Sequence, residues 1–308
     1  MSAPIDLTLL PMPQVVEVLD FEQILATRKS AVIDLMPEED DRDATAAMLE
    51  LESEPAVKLL EENSYQEIVI RNRVNDAALA VMLPYSKQAD LDNLGANANV
   101  KRLTVVAEDP TTTPPTAAVM EDDEAYRLRI QEAPDGFSVA GPRSAYEFHA
   151  RSADGRVKDV RAISPAPCEI VIVVLSTATD GVAPPDLLSV VKDAVNGEEV
   201  RPLGDLVTTQ SATVEEYEVE ATLYVAKGPE APIALAAAQA NAATISTPRR
   251  PLGFSIYRAA YIGALKVEGV VNVVLTSPAS DILRNKTQAA RCTAIRLKAE
   301  IIEEADDE

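Results

Sequence analysis

Apolar positions Phe21, Ile24, Leu25, Val32 and Leu35 recur at helical spacing, and Asp20 stands where a side chain can cap the first turn. Pro37 and the acidic run Glu38 to Asp43 predict a stop, with a short helix following through Ala44 to Leu51. Ser53 and Pro55, a cap-like residue and a proline suited to a first turn, open the longest element. No glycine or proline intervenes from Ala56 to Leu83, which predicts a rod of about 43 Å. Val57, Leu60, Ile68, Val74, Ala78, Val81 and Met82 make one stripe along it, and Leu59, Val69, Ile70, Ala77 and Leu79 thicken that stripe beyond a single seam. A helix apolar on more than one side needs several neighbours. Either a bundle of the chain's own helices supplies them or other subunits do. Few helices lie nearby in the sequence, which favours the second.

Beyond the rod, residues 89–102 (ADLDNLGANANVKR) predict a short amphipathic helix carrying Leu91 and Leu94 and ending near Gly95 and Asn97. Asp109–Thr116 (DPTTTPPT) predicts a linker that resists both helix and sheet. Helical spacing returns at Ala117–Gln131 and Pro142–Ser152, and the turn at Asp154 and Gly155 leads into a strand over Arg156–Ile163. Past Pro167, strands and helices alternate. Glu169–Leu175 (EIVIVVL) is a continuous apolar strand suited to the middle of a sheet, and Pro184–Asn196 is a helix with Leu187, Leu188, Val191 and Val195 inward. Val214–Val225 alternates, with Tyr217, Val219, Ala221, Leu223 and Val225 on one face and Glu216, Glu218 and Glu220 on the other. Helices over Pro232–Ala243 and Phe254–Lys266 and strands over Val270–Thr276 and Thr293–Ile302 complete the pattern. The predicted class is α+β. It comprises an N-terminal arm and bundle helix over 1–100, a middle α+β segment over 101–166, and a C-terminal split-βαβ, ferredoxin-like sandwich over 167–308.

Composition removes function classes. Against 28 Lys and Arg stand 50 Asp and Glu, a net charge of −22 whose field repels phosphate backbones and anionic lipid. Neither nucleic acid nor membrane is expected as a partner, and no apolar run nears the ~18 residues of a membrane span. The opening residues, interrupted by Pro4, Pro11 and Pro13 and lacking a basic stretch, do not read as a secretory signal, so a cytoplasmic site of synthesis is expected. Cys168 and Cys292 sit in strand-like apolar stretches, which points to buried free thiols rather than a disulfide. One histidine, His149, and two distant cysteines cannot assemble tetrahedral zinc, and His149 reads as a capping or packing side chain at a helix end. Glycine is scarce and no P-loop or dinucleotide fingerprint occurs, so no cofactor is expected. Carboxylates are plentiful enough for acid–base work on a glycoside. However, the chain has no Trp to stack on a sugar ring, and spacing singles out no pair. A cytosolic carboxylate hydrolase, or an adaptor with a helical arm, remains the alternative class.

Charge is also uneven. Residues 17–63 hold 14 acidic against 4 basic side chains, and residues 245–302 hold 9 basic against 3 acidic. One end could attract the other on a neighbouring copy, or both could simply be solvated. Within Ser277–Arg291, Arg284, Lys286 and Arg291 are candidates to contact acidic neighbours; a surface loop without such contacts is the other reading. The tail Asp306–Glu308 reads as disordered.

Five stretches in order carry a resemblance. They are PMPQVVEVLDFE, ESEPAVKLLEENSYQEIVIRNRVNDAALAVMLPYS, ADLDNLGANANVKRL, DEAYRLRIQEAPDGFSVAGPRSAYEFHARSADGRVKDV, and the strand, turn and helix up to DLLSVV. Together they resemble the baseplate assembly protein J family of contractile-tailed phages, including phage-derived R-type tailocins. The resemblance implies a non-enzymatic wedge protein. Several copies, with a smaller sibling of the baseplate I family, would build the ring around the central hub and spike. It further implies contacts with neighbouring hub and sheath-initiating baseplate proteins, synthesis in the bacterial host cytoplasm, and assembly into the baseplate of a virion or tailocin. By the same analogy, Pro55–Leu83 joins a helical bundle with the sibling, the C-terminal sandwich closes the ring, and there are no catalytic residues to carry over.

Overall fold

The computed structural model describes residues 5–226, 231–246 and 251–302; Pro4 and the acidic tail Asp306–Glu308 lie outside them. The chain divides into two compact units, residues 2–101 and 102–308.

The first unit is helical. Asp20 caps α1 (Phe21–Asp34) by accepting the Gln23 amide at 3.0 Å. Helix α2 (Glu39–Leu49) begins five residues earlier than expected, because Glu39, Asp40 and Asp41 occupy its first turn, where the helix dipole favours carboxylates. The acidic run therefore opens a helix. Helix α3 (Pro55–Ala80) has Pro55 in its first turn and reaches about 39 Å over its 26 residues, stopping three residues short of Leu83. Helix α4 (Gln88–Asn97) keeps Gly95 buried inside it; the left-handed angle expected at Gly95 or Asn97 falls on Asn99, at φ 55°.

The second unit opens with a hairpin where a linker was expected. Strands β1 (Thr104–Val106) and β2 (Val119–Met120) pair antiparallel, and Asp109 and Thr116 exchange two backbone hydrogen bonds across the loop. Inside that loop the Asp109 carboxylate accepts from both the amide and the hydroxyl of Thr111. Prolines limit the backbone but leave the ladder and side-chain bonds intact, so the segment closes on itself. Helix α5 (Asp123–Glu132) starts six residues after Ala117, because Asp122 accepts the Glu124 and Ala125 amides and so sets the first turn. Helix α6 (Arg143–Ser152) follows.

Strands β3 (Val157–Ala166), β4 (Glu169–Ser176) and β5 (Leu206–Ser211) form one mixed sheet in the order β3-β4-β5, with α7 (Pro185–Val195) crossing between β4 and β5. The apolar strand β4 lies in the middle, antiparallel to β3 and parallel to β5. A second mixed sheet, in the order β7-β6-β8, is built by β6 (Thr213–Ala226), β7 (Val270–Ser277) and β8 (Gln288–Ile302). Helices α8 (Ala231–Ser246) and α9 (Arg258–Leu265) lie between β6 and β7 in the chain. The expected ferredoxin-like sandwich is not shown: β4 and β5 adjoin with no strand inserted, and the six strands fall into two three-stranded sheets. The arrangement is α+β, with helices first and mixed sheets with interleaved helices after.

Each sheet has its own core. Val160, Ala162, Ile172 and Val174 pack with Tyr146 of α6 and Leu187, Val191 and Val195 of α7. Tyr217, Val219, Ala221, Leu223 and Val225 of β6 pack with Ala234, Ala238 and Ala242 of α8 and Tyr261 and Leu265 of α9. A smaller cluster of Val173, Leu175, Leu252 and Ala289 joins elements of both sheets. Cys168 departs from expectation. It is exposed, at φ 63° in the β3–β4 turn, while Cys292 is half-buried in β8, and both are free thiols.

Candidate assembly surfaces

Helix α3 has two unlike faces. One carries Val57, Ser64 and Asn75, all buried, and adjoins α1. Leu60, Ile68, Ala78 and Met82 are half-buried. Leu59, Ile70, Val74 and Val81 turn well away from that buried side and are 59–69% exposed. The seven-residue stripe expected from spacing is therefore divided. Val57, Leu60, Ile68, Ala78 and Met82 lean toward the chain's own helices, whereas Val74 and Val81 join Leu59 and Ile70 on the uncovered side. Ion pairs stitch the buried side: Glu67 accepts from Arg28 of α1 at 2.6 Å and from Arg71 at 2.7 Å. The Arg28 hydrogen bond, with the nearby Arg71 charge, holds the Glu67 carboxyl below the usual carboxylate range.

An extended arm runs beside α3. The Asn75 side chain accepts from the Glu17 amide at 3.0 Å and donates to the Glu17 carbonyl at 2.9 Å, and the Tyr85 hydroxyl donates to Pro11 O at 3.0 Å. Held this way, the arm leaves Leu9, Met12, Val15 and Val18 exposed. No repeat or motif announced the Asn75 clasp; it is one of three asparagines inside α3, and spacing alone does not single it out.

The exposed face of the second sheet is a charge ladder. Arg291 reaches Glu216 at 2.9 Å, and Arg296 pairs with Glu218 and lies 2.9 Å from Glu220. Off that face, Arg284 lies in the segment before β8 with its side chain 5% exposed and pairs with Glu215 at 2.8 Å. Two of the three cations expected to meet acidic neighbours are thus engaged by strand β6 of their own chain, and Lys286 is exposed.

A cleft of about 810 Å³ in the second unit is the place to look for acid–base chemistry. Three of its lining carboxylates have structural employment. Glu121 is buried against Arg129 and accepts the Leu103 amide at 2.9 Å, Asp122 caps α5, and Asp159 holds Arg151 at 2.8 Å and the Leu252 amide at 2.7 Å. Burial without an ion partner lowers the Lys158 ammonium, with Asp159 partly opposing the shift. His149 contacts Gly136 O at 3.0 Å and meets Phe148 edge to face, the packing role expected of it. Among the described residues no group of three metal-ligating side chains occurs, and no helix is long and apolar enough to cross a membrane.

Uncovered apolar faces and carboxylates bound into structure describe a protein of assembly. A family model described as the baseplate J-like N-terminal domain matches residues 52–109, and one described as the baseplate J-like central domain matches residues 138–211. Baseplate protein J of Escherichia phage P2 is 54% identical over 294 residues, covering 95% of this chain and 97% of that protein. A chain in the six-fold symmetrised cryo-EM structure of the anti-feeding prophage baseplate matches with a TM-score of 0.36 and 16% identity. That match spans 58% of the present chain and 43% of the other. The chain belongs to the baseplate protein J family, a family of structural, non-enzymatic phage baseplate proteins.

Proposed function

We propose that the chain is a wedge component of a contractile tail baseplate, built into the ring around the hub through an intersubunit helix bundle centred on α3. The observation that carries this reading is the side of α3 bearing Leu59, Ile70, Val74 and Val81, which its own unit leaves in water. Covering a side chain of this size contributes about 1.5–3 kcal/mol, so four of them on one rod strongly favour a partner helix. The partner proposed is the smaller sibling of the baseplate I family, with further copies of the chain and the hub and sheath-initiating proteins beyond it. Contacts in the C-terminal region would close the ring. There Lys286 is free to meet a neighbour's carboxylate, whereas Arg284 and Arg291 must first leave Glu215 and Glu216. The Arg291–Glu216 pair suits a contact that has to rearrange, because exposed pairs contribute only about 0–1 kcal/mol each, whereas Arg284, with its side chain 5% exposed, would have to leave a buried site.

The decisive experiment coexpresses the chain with the sibling and measures copurification. Ile70→Asp together with Val74→Asp is expected to abolish it while leaving the thermal unfolding midpoint of the chain alone within a degree or two. Survival of the complex would overturn the bundle. Leu60→Asp with Ile68→Asp is a folding control, since those side chains lean toward the chain's own helices and the substitutions should lower the midpoint.

A further inference from the structure

We infer that the outer edge of β8 takes an added strand from a protein other than this chain, an extended segment whose residues alternate apolar and acidic. Strand β8 lies at one side of its sheet, bonded to β6 and, among the described residues, to no strand beyond. It runs for 15 residues, about 50 Å, where a strand of about 5–6 residues is ordinary. Edge strands are commonly kept from pairing by proline, by charges turned inward or by being short. Strand β8 is long and holds no proline. Its register with β6 turns Cys292, Ile295, Leu297, Ala299 and Ile301 toward the helix side, and none of them is charged. The usual guards are missing from this edge.

Both faces of the edge specify the guest. Cys292, Ile295 and Leu297 pack against the core shared with α8 and α9, but Ala299 and Ile301, further along the same face, are exposed, Ile301 by 61%. A strand laid beside them meets apolar side chains that the two helices leave bare. On the other face Arg296 stands beside Glu220 and Lys298 beside Thr222. The carboxylates of β6 stop at Glu220, so Lys298 is exposed and has no ion pair among the described residues. A carboxylate on the guest, directly across from Lys298, supplies what β6 does not.

The same cations argue against a second β8 in this place. Antiparallel pairing of residues 293–302 with their counterparts, faces matched, has its longest overlaps centred on Leu297 or on Lys298. The first sets Lys298 opposite Arg296, and the second sets it opposite its own counterpart. Neither gives Lys298 a carboxylate, and like charges directly across a strand pair are unfavourable.

The test uses the full chain and a short synthetic peptide of alternating valine and glutamate, with the valine–lysine peptide and a backbone N-methylated glutamate peptide beside it. Binding is read by fluorescence anisotropy and located by amide hydrogen exchange. The glutamate peptide is expected to slow exchange over residues 293–302 and the N-methylated one to leave it as it is, because the edge bonds are backbone bonds. Lys298→Glu should weaken the glutamate peptide by about fivefold and favour the lysine peptide instead, whereas Lys286→Glu, outside β8, should change neither. The net charge of −22 favours the lysine peptide everywhere else on the chain, so a preference for glutamate reports the cations of β8. Unchanged exchange at 293–302, or equal protection by both charged peptides, overturns the inference. Protection that grows with the concentration of the chain alone also overturns it, giving the edge to a second copy. None of these outcomes bears on copurification through α3, so the bundle stands or falls separately.

Discussion

Asn75 performs with one amide what a neighbouring strand performs with its backbone, since it satisfies both the N–H and the C=O of Glu17. Its side chain is buried, so removing it strands two polar groups of the arm as well as leaving a gap. Asn75→Ala is expected to destabilise the first unit by about 1–3 kcal/mol in urea unfolding and to open residues 5–19 to limited proteolysis. An unchanged cleavage pattern would show that the arm is held by something else. At this scale the caps were readable beforehand. Asp20 acts as expected from its place before an apolar run, because capping is a contact between near neighbours. The clasp was not readable, because it joins positions 58 residues apart and no local rule points from one to the other.

Elements whose two faces differ were plain from spacing, and elements defined by their partners were not. Strand β6 alternates as predicted, with Tyr217, Val219, Ala221, Leu223 and Val225 all buried. Strand β5, Leu206–Ser211, escaped the reading because LVTTQS is short and polar and becomes a strand through pairing with β4. The hairpin of β1 and β2 escaped for a related reason: three prolines argued for a linker, but long-range pairing and the Asp109 and Thr112 side-chain bonds prevailed. Its base depends on Gly155, where an added Cβ would lie 2.5 Å from the Thr104 carbonyl oxygen. Gly155→Ala should therefore cost about 1–3 kcal/mol and speed amide exchange at Thr104 and Val119. The control is Gly204→Ala, where a Cβ meets nothing within 4 Å and exchange should stay as it is.

Within the second unit, Asp159 of β3 is the polar tie between the first sheet and the segment that leads into α9. One of its oxygens holds Arg151, and the other accepts the Leu252 amide across 93 residues of chain. Asp159→Ala leaves a buried guanidinium with Glu132 as its remaining carboxylate, and the expected loss is about 3 kcal/mol, measured as a fall in the unfolding midpoint. A variant as stable as the parent would show that Glu132 suffices. The α+β class followed from the order of periodicities, but the sheet arrangement did not, because which strands adjoin is decided by pairing across long separations. The exposed side of α3 was half legible: spacing showed too much apolar surface on that rod, yet it could not say that Val74 and Val81 face outward while Leu60 and Ile68 lean in. That division has a consequence in time. On the proposed bundle, whatever free energy lies in hiding Leu59, Ile70, Val74 and Val81 would be withheld at synthesis and released only on encounter with a neighbour, so a newly made chain would be sticky until it is joined. The order in which the particle's parts are produced then matters as much as their amounts, and a chain made too early risks meeting the wrong companion first.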